Sequence, residues 1–312
     1  MAPKVYLFDE VVLRIDEDGR AILTIGPPLK AAPWREAKKE ADRAWFRKQA
    51  TKALEALRKR EPSEVELASR RSLLTVGGGF AQVEGKNVLL VRRSSDAPVV
   101  PNLLDICAGA FDERWTSLVE MLAGEAVEVF RFLPDSNEVI VPVPERLLKP
   151  SSRSAVREEY VKASEAVLGK EKAEEASFRE VRSSLIEPKQ PVRVIYEDEE
   201  LPSLAVLFDV ECCSVELVGL MDVPALPGVA YSDGEYMETP DGPRALNREI
   251  HVINAESLSD AVWKRFRVVR QCYFPDILRE ISGTDDVRRA LTGKALLALE
   301  NLPFDKLRSL FG

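Results

Sequence analysis

A chain of 312 residues, 45% hydrophobic and 31% charged, is long enough for about two domains with a substantial core and excludes a disordered polymer. Its net charge of -8 and sequence pI near 5.1 argue against nucleic-acid binding driven by bulk charge, though a local basic patch would not show in the total. No apolar run approaches the roughly 18 residues of a membrane span, and no basic segment followed by an apolar signal core opens the chain, so a cytoplasmic protein is expected.

The chain begins with alternation. Val5 and Leu7, then Val11, Leu13 and Ile15, are followed by a turn at Asp16-Glu17-Asp18-Gly19 and a return from Ala21 to Ile25. Lys4 to Ile25 therefore reads as a β-hairpin, ended by Pro27 and Pro28. From Pro33 to about Arg60 the spacing of Trp34, Ala37, Ala41, Trp45, Leu54 and Leu57 predicts a long helix. Its cations, including Arg35, Lys38, Lys39, Arg43, Arg47, Lys48, Lys52, Arg58, Lys59 and Arg60, suit contact with RNA, phosphate or a protein partner. The alternative is a solvated face with Glu36, Glu40 and Glu55 mixed in. Ser63 with Glu66 three residues later fits a capping box and predicts a second short helix to Arg71.

The stretch from Val76 to Phe130 organises the rest. It reads as a Gly-rich entry (Gly77, Gly78, Gly79), a strand from Val88 to Arg92, a turn on Ser94, Ser95, Asp96 and Pro98, and a short strand near Leu103 to Ile106. From Thr116 to Phe130, Leu118, Leu122, Ala126 and Val129 fall on one helical stripe, and Glu125 and Glu128 share a face. Two carboxylates on one turn can form part of a divalent-cation site, since Mg²⁺ takes oxygen ligands.

These residues resemble the Nudix hydrolase family. The family's strand ending in a basic pair is matched by Leu89-Leu90-Val91-Arg92-Arg93, and its short strand reaching a Pro-Gly-Gly turn by Leu104-Asp105-Ile106-Cys107-Ala108-Gly109. Counted from Gly109, the first Glu of the family box falls on Trp115, or on Thr116 if the loop carries one extra residue. With that residue, Gly124 stands in place of the Arg, Glu125 and Glu128 match two carboxylates, and Val129 replaces the third; without it only Glu128 matches. The resemblance implies an α+β fold, a Nudix-like mixed β-sheet sandwiched by helices. It also implies a Mg²⁺ held by Glu125 and Glu128 and completed by a distal Glu249, Glu235 or Glu238, with Arg92, Arg93 and Gly109 at the phosphates.

Glu138 to Val143 reads as a brief strand ended by Pro142 and Pro144, and residues 146–188 as an insertion of two helices or a helical hairpin broken near Gly169. Strands are expected at Val192 to Tyr196, Leu204 to Val210 and Val215 to Met221, a Gly- and Pro-rich loop from Asp222 to Asn247, and a strand from Arg248 to Asn254. Leu258 to Phe311 carries helical spacing, with a basic cluster at Lys264, Arg265, Arg267 and Arg270. Cys107, Cys212, Cys213 and Cys272 lack paired zinc spacing, and adjacent Cys212 and Cys213 read as small apolar filler on opposite faces of a strand. His251 is the only histidine, so a multi-His metal site is excluded. A composition rich in Glu, Lys and Arg with few Asn, Gln and His would suit a thermophile.

The expected organisation is an N-terminal hairpin and helical extension over residues 1–72, a Nudix-like domain over 73–257 with its helical insertion, and C-terminal helices over 258–312. Three functions fit. The first in order of expectation is a module binding a nucleotide, a phosphorylated ligand or a macromolecular partner, with weak or absent catalysis. The others are a Mg²⁺-dependent hydrolase of compounds linked through a nucleoside diphosphate, and a structural subunit that docks a larger assembly through its insertion.

Overall fold

Val11–Ile15 and Ala21–Ile25 pair antiparallel, with alternate residues buried, as their patterning dictates. Gly19 takes the positive φ of the turn (+75°), and Asp16 Oδ1 accepts from the backbone N–H groups of Asp18 (3.0 Å) and Arg20 (2.8 Å). Val5–Leu7 lies outside the hairpin and pairs with Lys30–Ala32. In this computed structural model the described residues are 4–85, 87–93, 104–144, 152–234, 236–245, 250–254, 267–268, 272–273 and 290–302.

The single long helix expected after Pro33 is two. Helix α1 (Trp34–Ala37) stops after one turn, and α2 (Arg43–Lys59) begins afresh at Asp42, whose carboxylate accepts from the Trp45 N–H at 3.0 Å. An N-cap Asp satisfies an otherwise orphaned donor and fixes the start of the second helix. The inner face of α2 buries Phe46, Ala50, Ala53, Leu54 and Leu57 in the main core. The predicted helix from Ser63 is instead a strand, Ser63–Glu66, on the edge of Val11–Ile15. Only Val65 of its four residues is buried, so the pattern is that of an edge strand, and ladder pairing wins over the capping-box signal. Arg193–Tyr196 joins parallel to Ala21–Ile25 and pairs on its other side with Glu199–Glu200, which completes a five-stranded sheet drawn from distant parts of the chain.

The remaining architecture is mixed α+β, dominated by a large curled mixed sheet with few helices. Its central strands are Ser214–Val223 and Thr75–Glu84, paired in parallel over ten residues. Gly77, Gly78 and Gly79 lie inside the second of these and not in an entry loop. A Cβ on Gly78 or Gly79 would strike the carbonyl oxygen of Leu217 or Cys107, so neighbouring backbone occupies the side-chain space. On the far side of that strand run Asn87–Arg92 and Cys107–Ala110. Ile250–Asn254 flanks Asn87–Arg92, and the first two residues of the strand expected from Arg248 lie outside the described residues.

Helix α3 (Leu118–Ala126) covers one face of the glycine strand, placing Leu118, Met121 and Leu122 against Phe80, Leu217 and Met221. In the insertion, α4 (Ser152–Leu168) and α5 (Lys170–Glu175) break at Gly169, whose φ is +83°, where the sequence marks the break. The second half of the insertion is not helical beyond Glu175: Ser177–Ile186 is a strand parallel to Glu138–Pro144. That neighbour runs through Pro142 and Pro144 without ending at the first. Helix α6 (Gly293–Asn301) covers the sheet face opposite α3, with Ala295, Leu297, Ala298 and Leu299 against Ala81, Val83, Val218 and Leu220.

Three further expectations are corrected. The Gly- and Pro-rich segment after Asp222 contains strands Ala230–Asp233, Tyr236–Thr239 and Gly242–Ala245, the last two a hairpin turning at Pro240-Asp241. Arg267–Val268 and Cys272–Tyr273 are short strands and not helix; the predicted turn at Ser94 to Pro98 and the start of the helical stretch expected from Leu258 fall outside the described residues. Cys212 and Cys213 are buried in the turn between Ala205–Asp209 and Ser214–Val223, not in a strand, and Cys213 has φ +50°. Among the described residues no helix is long and apolar enough to cross a membrane.

Candidate functional site

Helix α3 is fastened at both ends, and this fixes where its acidic residues point. At its start Ser117 Oγ accepts from the Glu120 N–H (3.2 Å), while the Glu120 carboxylate accepts from the Thr116 N–H (3.1 Å) and hydroxyl, a reciprocal capping box. At its end Gln82 donates to the Ala126 carbonyl. Gln82 also accepts from Arg131, a fully buried guanidinium that pairs with Glu84, and Glu84 in turn accepts from the Tyr231 hydroxyl. The helix stops at Ala126 because Val129–Leu133, a β-branched and aromatic run, enters the sheet as a strand. Glu128 therefore sits in the link between helix and strand, and the expectation that Glu125 and Glu128 share a helix face is corrected. The position expected for a third carboxylate, Val129, is a core strand residue paired with Asp233.

The two carboxylates nevertheless meet, since the Glu128 side chain hydrogen-bonds that of Glu125. Glu125 is buried and rests on Gly109, where a Cβ would collide with its carboxylate. Gly109 is paired in register with Gly78, so two glycines facing one another across adjacent strands create the shallow floor on which α3 can seat an acidic side chain. Burial, and then the neighbouring Glu128 charge, push the Glu125 carboxyl well above the ordinary carboxylate range; the Arg114 guanidinium opposes them. Burial thus favours the protonated form of the Glu125 carboxyl.

Arg114 is the cation of the site. Its Nε donates to both carboxylate oxygens of Asp112 (3.1 Å each), and Nη2 lies 3.0 Å from Oδ2. Burial works against its charge, but Asp112, Glu125 and Glu128 together hold its pKa above the usual value. The guanidinium carbon lies 5.8 Å from the centroid of the Trp115 ring, whose far edge lies over Gly124. The Trp115 Nε1–H is buried and has no hydrogen-bond partner among the described residues. Arg114, Trp115, Val127 and Glu128, with Glu159 from α4, line a small recess of about 20 Å³ that opens to solvent. The insertion thus walls the end of α3.

Of the residues expected at the site, Gly109, Glu125 and Glu128 are brought together. Arg93 is instead bound to Asp105 (3.3 Å), and Arg92 ends the strand Asn87–Arg92 half-buried. Glu249 and Glu235 lie outside the described residues, and Glu238 belongs to the strand Tyr236–Thr239. Asp112, Arg114 and Glu159 were not foreseen. The signal available for the first two was an Asp-x-Arg turn directly after the Gly109 strand; Glu159, on a separate helix, carried none.

Among the described residues no three His, Cys, Asp or Glu side chains gather as a ligand set. A Mg²⁺ on Glu125 and Glu128 would have to displace the hydrogen bond between them and the proton that burial favours on Glu125. In comparisons with known proteins, no protein-family model matches the chain and no curated protein matches it.

Proposed function

We propose that the chain is a Nudix-like module that binds a nucleotide-type or other phosphorylated ligand in the recess beside Glu128, with weak or absent hydrolysis. The observation that carries this reading is the convergence on one recess of the Arg114 guanidinium, the Trp115 ring and the carboxylate of Glu128, itself hydrogen-bonded to Glu125. Arg114 supplies planar, fixed donors suited to phosphate oxygens. Trp115 supplies an apolar face. Mg²⁺ bound at Glu125 and Glu128 would neutralise phosphate charge and lower the pKa of a bound water. Displacement of the proton that burial favours on Glu125 makes such binding pH-dependent.

Binding is favoured over turnover because the chain presents two carboxylates where the family pattern has three, the third position being the buried Val129. Thermal denaturation with ADP and with inorganic pyrophosphate, each with and without MgCl₂, tests the reading. A ligand at about 100 times its Kd stabilises by about 2.7 kcal/mol. The expected result is a rise in Tm that Mg²⁺ enhances and that Arg114→Ala or Glu128→Gln abolishes. Absence of any shift up to millimolar ligand would sink it. Mg²⁺-dependent release of nucleoside monophosphate from dinucleoside or sugar nucleotides, lost in Glu128→Gln, would replace it with the hydrolase reading.

A further inference from the structure

The exposed half of α2 carries a charge opposite to that of the whole chain. Against a net charge of -8, it presents Arg43, Arg47 and Arg58 along one flank and Lys48, Lys52 and Lys59 along the other, with Glu55 as its single carboxylate. At 100° per residue the two rows lie roughly 100° apart, separated by a trough of Ala44, Thr51 and Glu55. None of the described residues pairs with Lys48, Lys52 or Lys59, whereas Arg43 donates to the Glu211 carbonyl (3.3 Å). Arg43 is thus held in place while the lysine row is left to solvent.

We infer that this face of α2 is a docking surface for double-stranded RNA. Two cationic rows about 10 Å apart, the width of a helix with its side chains, match phosphates on either side of a groove. The inner face of α2 is committed to the core through Phe46, Ala50, Leu54 and Leu57, so only a shallow approach is open to it. A shallow approach suits the wide, shallow minor groove of A-form RNA and not the deeper major groove of DNA. The same burial removes the apolar surface that an interfacial membrane helix would insert. Thr51, whose hydroxyl donates to the Arg47 carbonyl (3.0 Å), keeps acceptor lone pairs facing the trough, where a ribose 2′-hydroxyl would lie.

Fluorescence anisotropy of the full chain with a 20-base-pair RNA duplex tests the inference, alongside the same sequence as DNA duplex, phosphatidylserine vesicles and polyglutamate. Six phosphate contacts give a loss in affinity of about 10³-fold between 50 and 200 mM salt. Replacing Lys48, Lys52 and Lys59 together by Gln, with circular dichroism unchanged, is expected to weaken binding about 100-fold at 100 mM salt and reduce the salt slope by about 3. Glu55→Lys is expected to tighten binding several-fold. No binding at 50 mM salt, equal or tighter binding of DNA, vesicles or polyglutamate, or indifference to both sets of substitutions would overturn the inference.

Discussion

Gly109 lies directly beneath the Glu125 carboxylate, in the space that a side chain at position 109 would need. Gly78, its register partner, faces a different obstacle: a Cβ there would meet the carbonyl oxygen of Leu217. The two glycines therefore respond differently to the same substitution. Gly78→Ala must move backbone in the centre of the sheet and is expected to cost about 3 kcal/mol, the upper end of overpacking. Gly109→Ala meets only the end of a side chain that can swing aside, and should cost about 1 kcal/mol while displacing Glu125 from Glu128. Urea denaturation of both variants checks this, and equal losses would show that the Glu125 carboxylate is as immovable as backbone.

The Glu125–Glu128 pair sets a pH dependence. The folded-state pKa of Glu125 is raised above its ordinary value of 4.5 by burial and by Glu128, so the folded chain holds a proton that the unfolded chain releases. Stability consequently falls as pH rises above about 4.5, until the folded-state pKa is reached. Glu125→Gln removes the ionisable group and its slope. The variant is expected to be more stable than the parent at pH 7 and to lose that advantage below pH 4.5. Tm profiles from pH 4 to 8 are the measurement, and parallel curves for the two proteins would contradict the assignment.

Local patterning carried the reading where one element determines itself. Val11, Leu13 and Ile15 alternate because one face of their strand is buried, and Gly169 breaks the insertion because its φ is +83°. It misled where tertiary pairing decides. Ser63–Glu66 has the residues of a helix start yet lies along an open sheet edge, and Gly77 to Gly79 look like a loop because the backbones that require them come from Cys107 and Leu217, far away in sequence. Of the candidate site, Glu125, Glu128 and Gly109 were named through the family resemblance, while the spacing that put both carboxylates on one helix face fails because the helix ends at Ala126. Arg114 was not named, since its role depends on the fold of the turn at Asp112, and Glu159 depends on where α4 docks.

On the other face of the sheet, Asp105 is fully buried with Arg93 at 3.3 Å, Lys294 at 3.6 Å and a hydrogen bond from the Thr292 hydroxyl at 2.5 Å. Burial disfavours its charge, but Lys294 and Arg93 outweigh that and hold its pKa below 3.8; Lys294, despite burial, is held above 10.5 by Asp105 and Glu216. Asp105→Asn leaves two cations without their shared counter-ion and is expected to cost about 3–5 kcal/mol. The sign differs at the two extremes of pH. The Asp105 contribution is present above its unfolded pKa near 3.8 and lost as pH falls toward the folded value, while that of Lys294 is present below 10.5 and lost as pH rises through its folded value. The difference between parent and variant should therefore be flat near neutrality and shrink at both ends, and guanidinium denaturation across pH measures it.

Trp115 and Gly124 make the last case, because one explains the other. The far edge of the indole ring occupies the place of a Cβ at 124, so a helix interior that would otherwise favour Ala keeps a Gly. Gly124→Ala alone is expected to cost about 1–3 kcal/mol by overpacking against the ring. Trp115→Ala alone should cost about 3–5 kcal/mol through the cavity it leaves. In the double variant the clash is gone and Ala regains its advantage over Gly in the helix, worth about 1 kcal/mol. The double variant should then be more stable than Trp115→Ala alone, a reversal of sign that simple additivity forbids. A double-mutant cycle by urea denaturation decides it: if Gly124→Ala destabilises equally in both backgrounds, something other than the ring excludes a side chain at 124. The same cycle separates stability from ligand recognition, because the Trp115 face is lost in both variants that lack the indole while the Arg114–Asp112 pair is left in place.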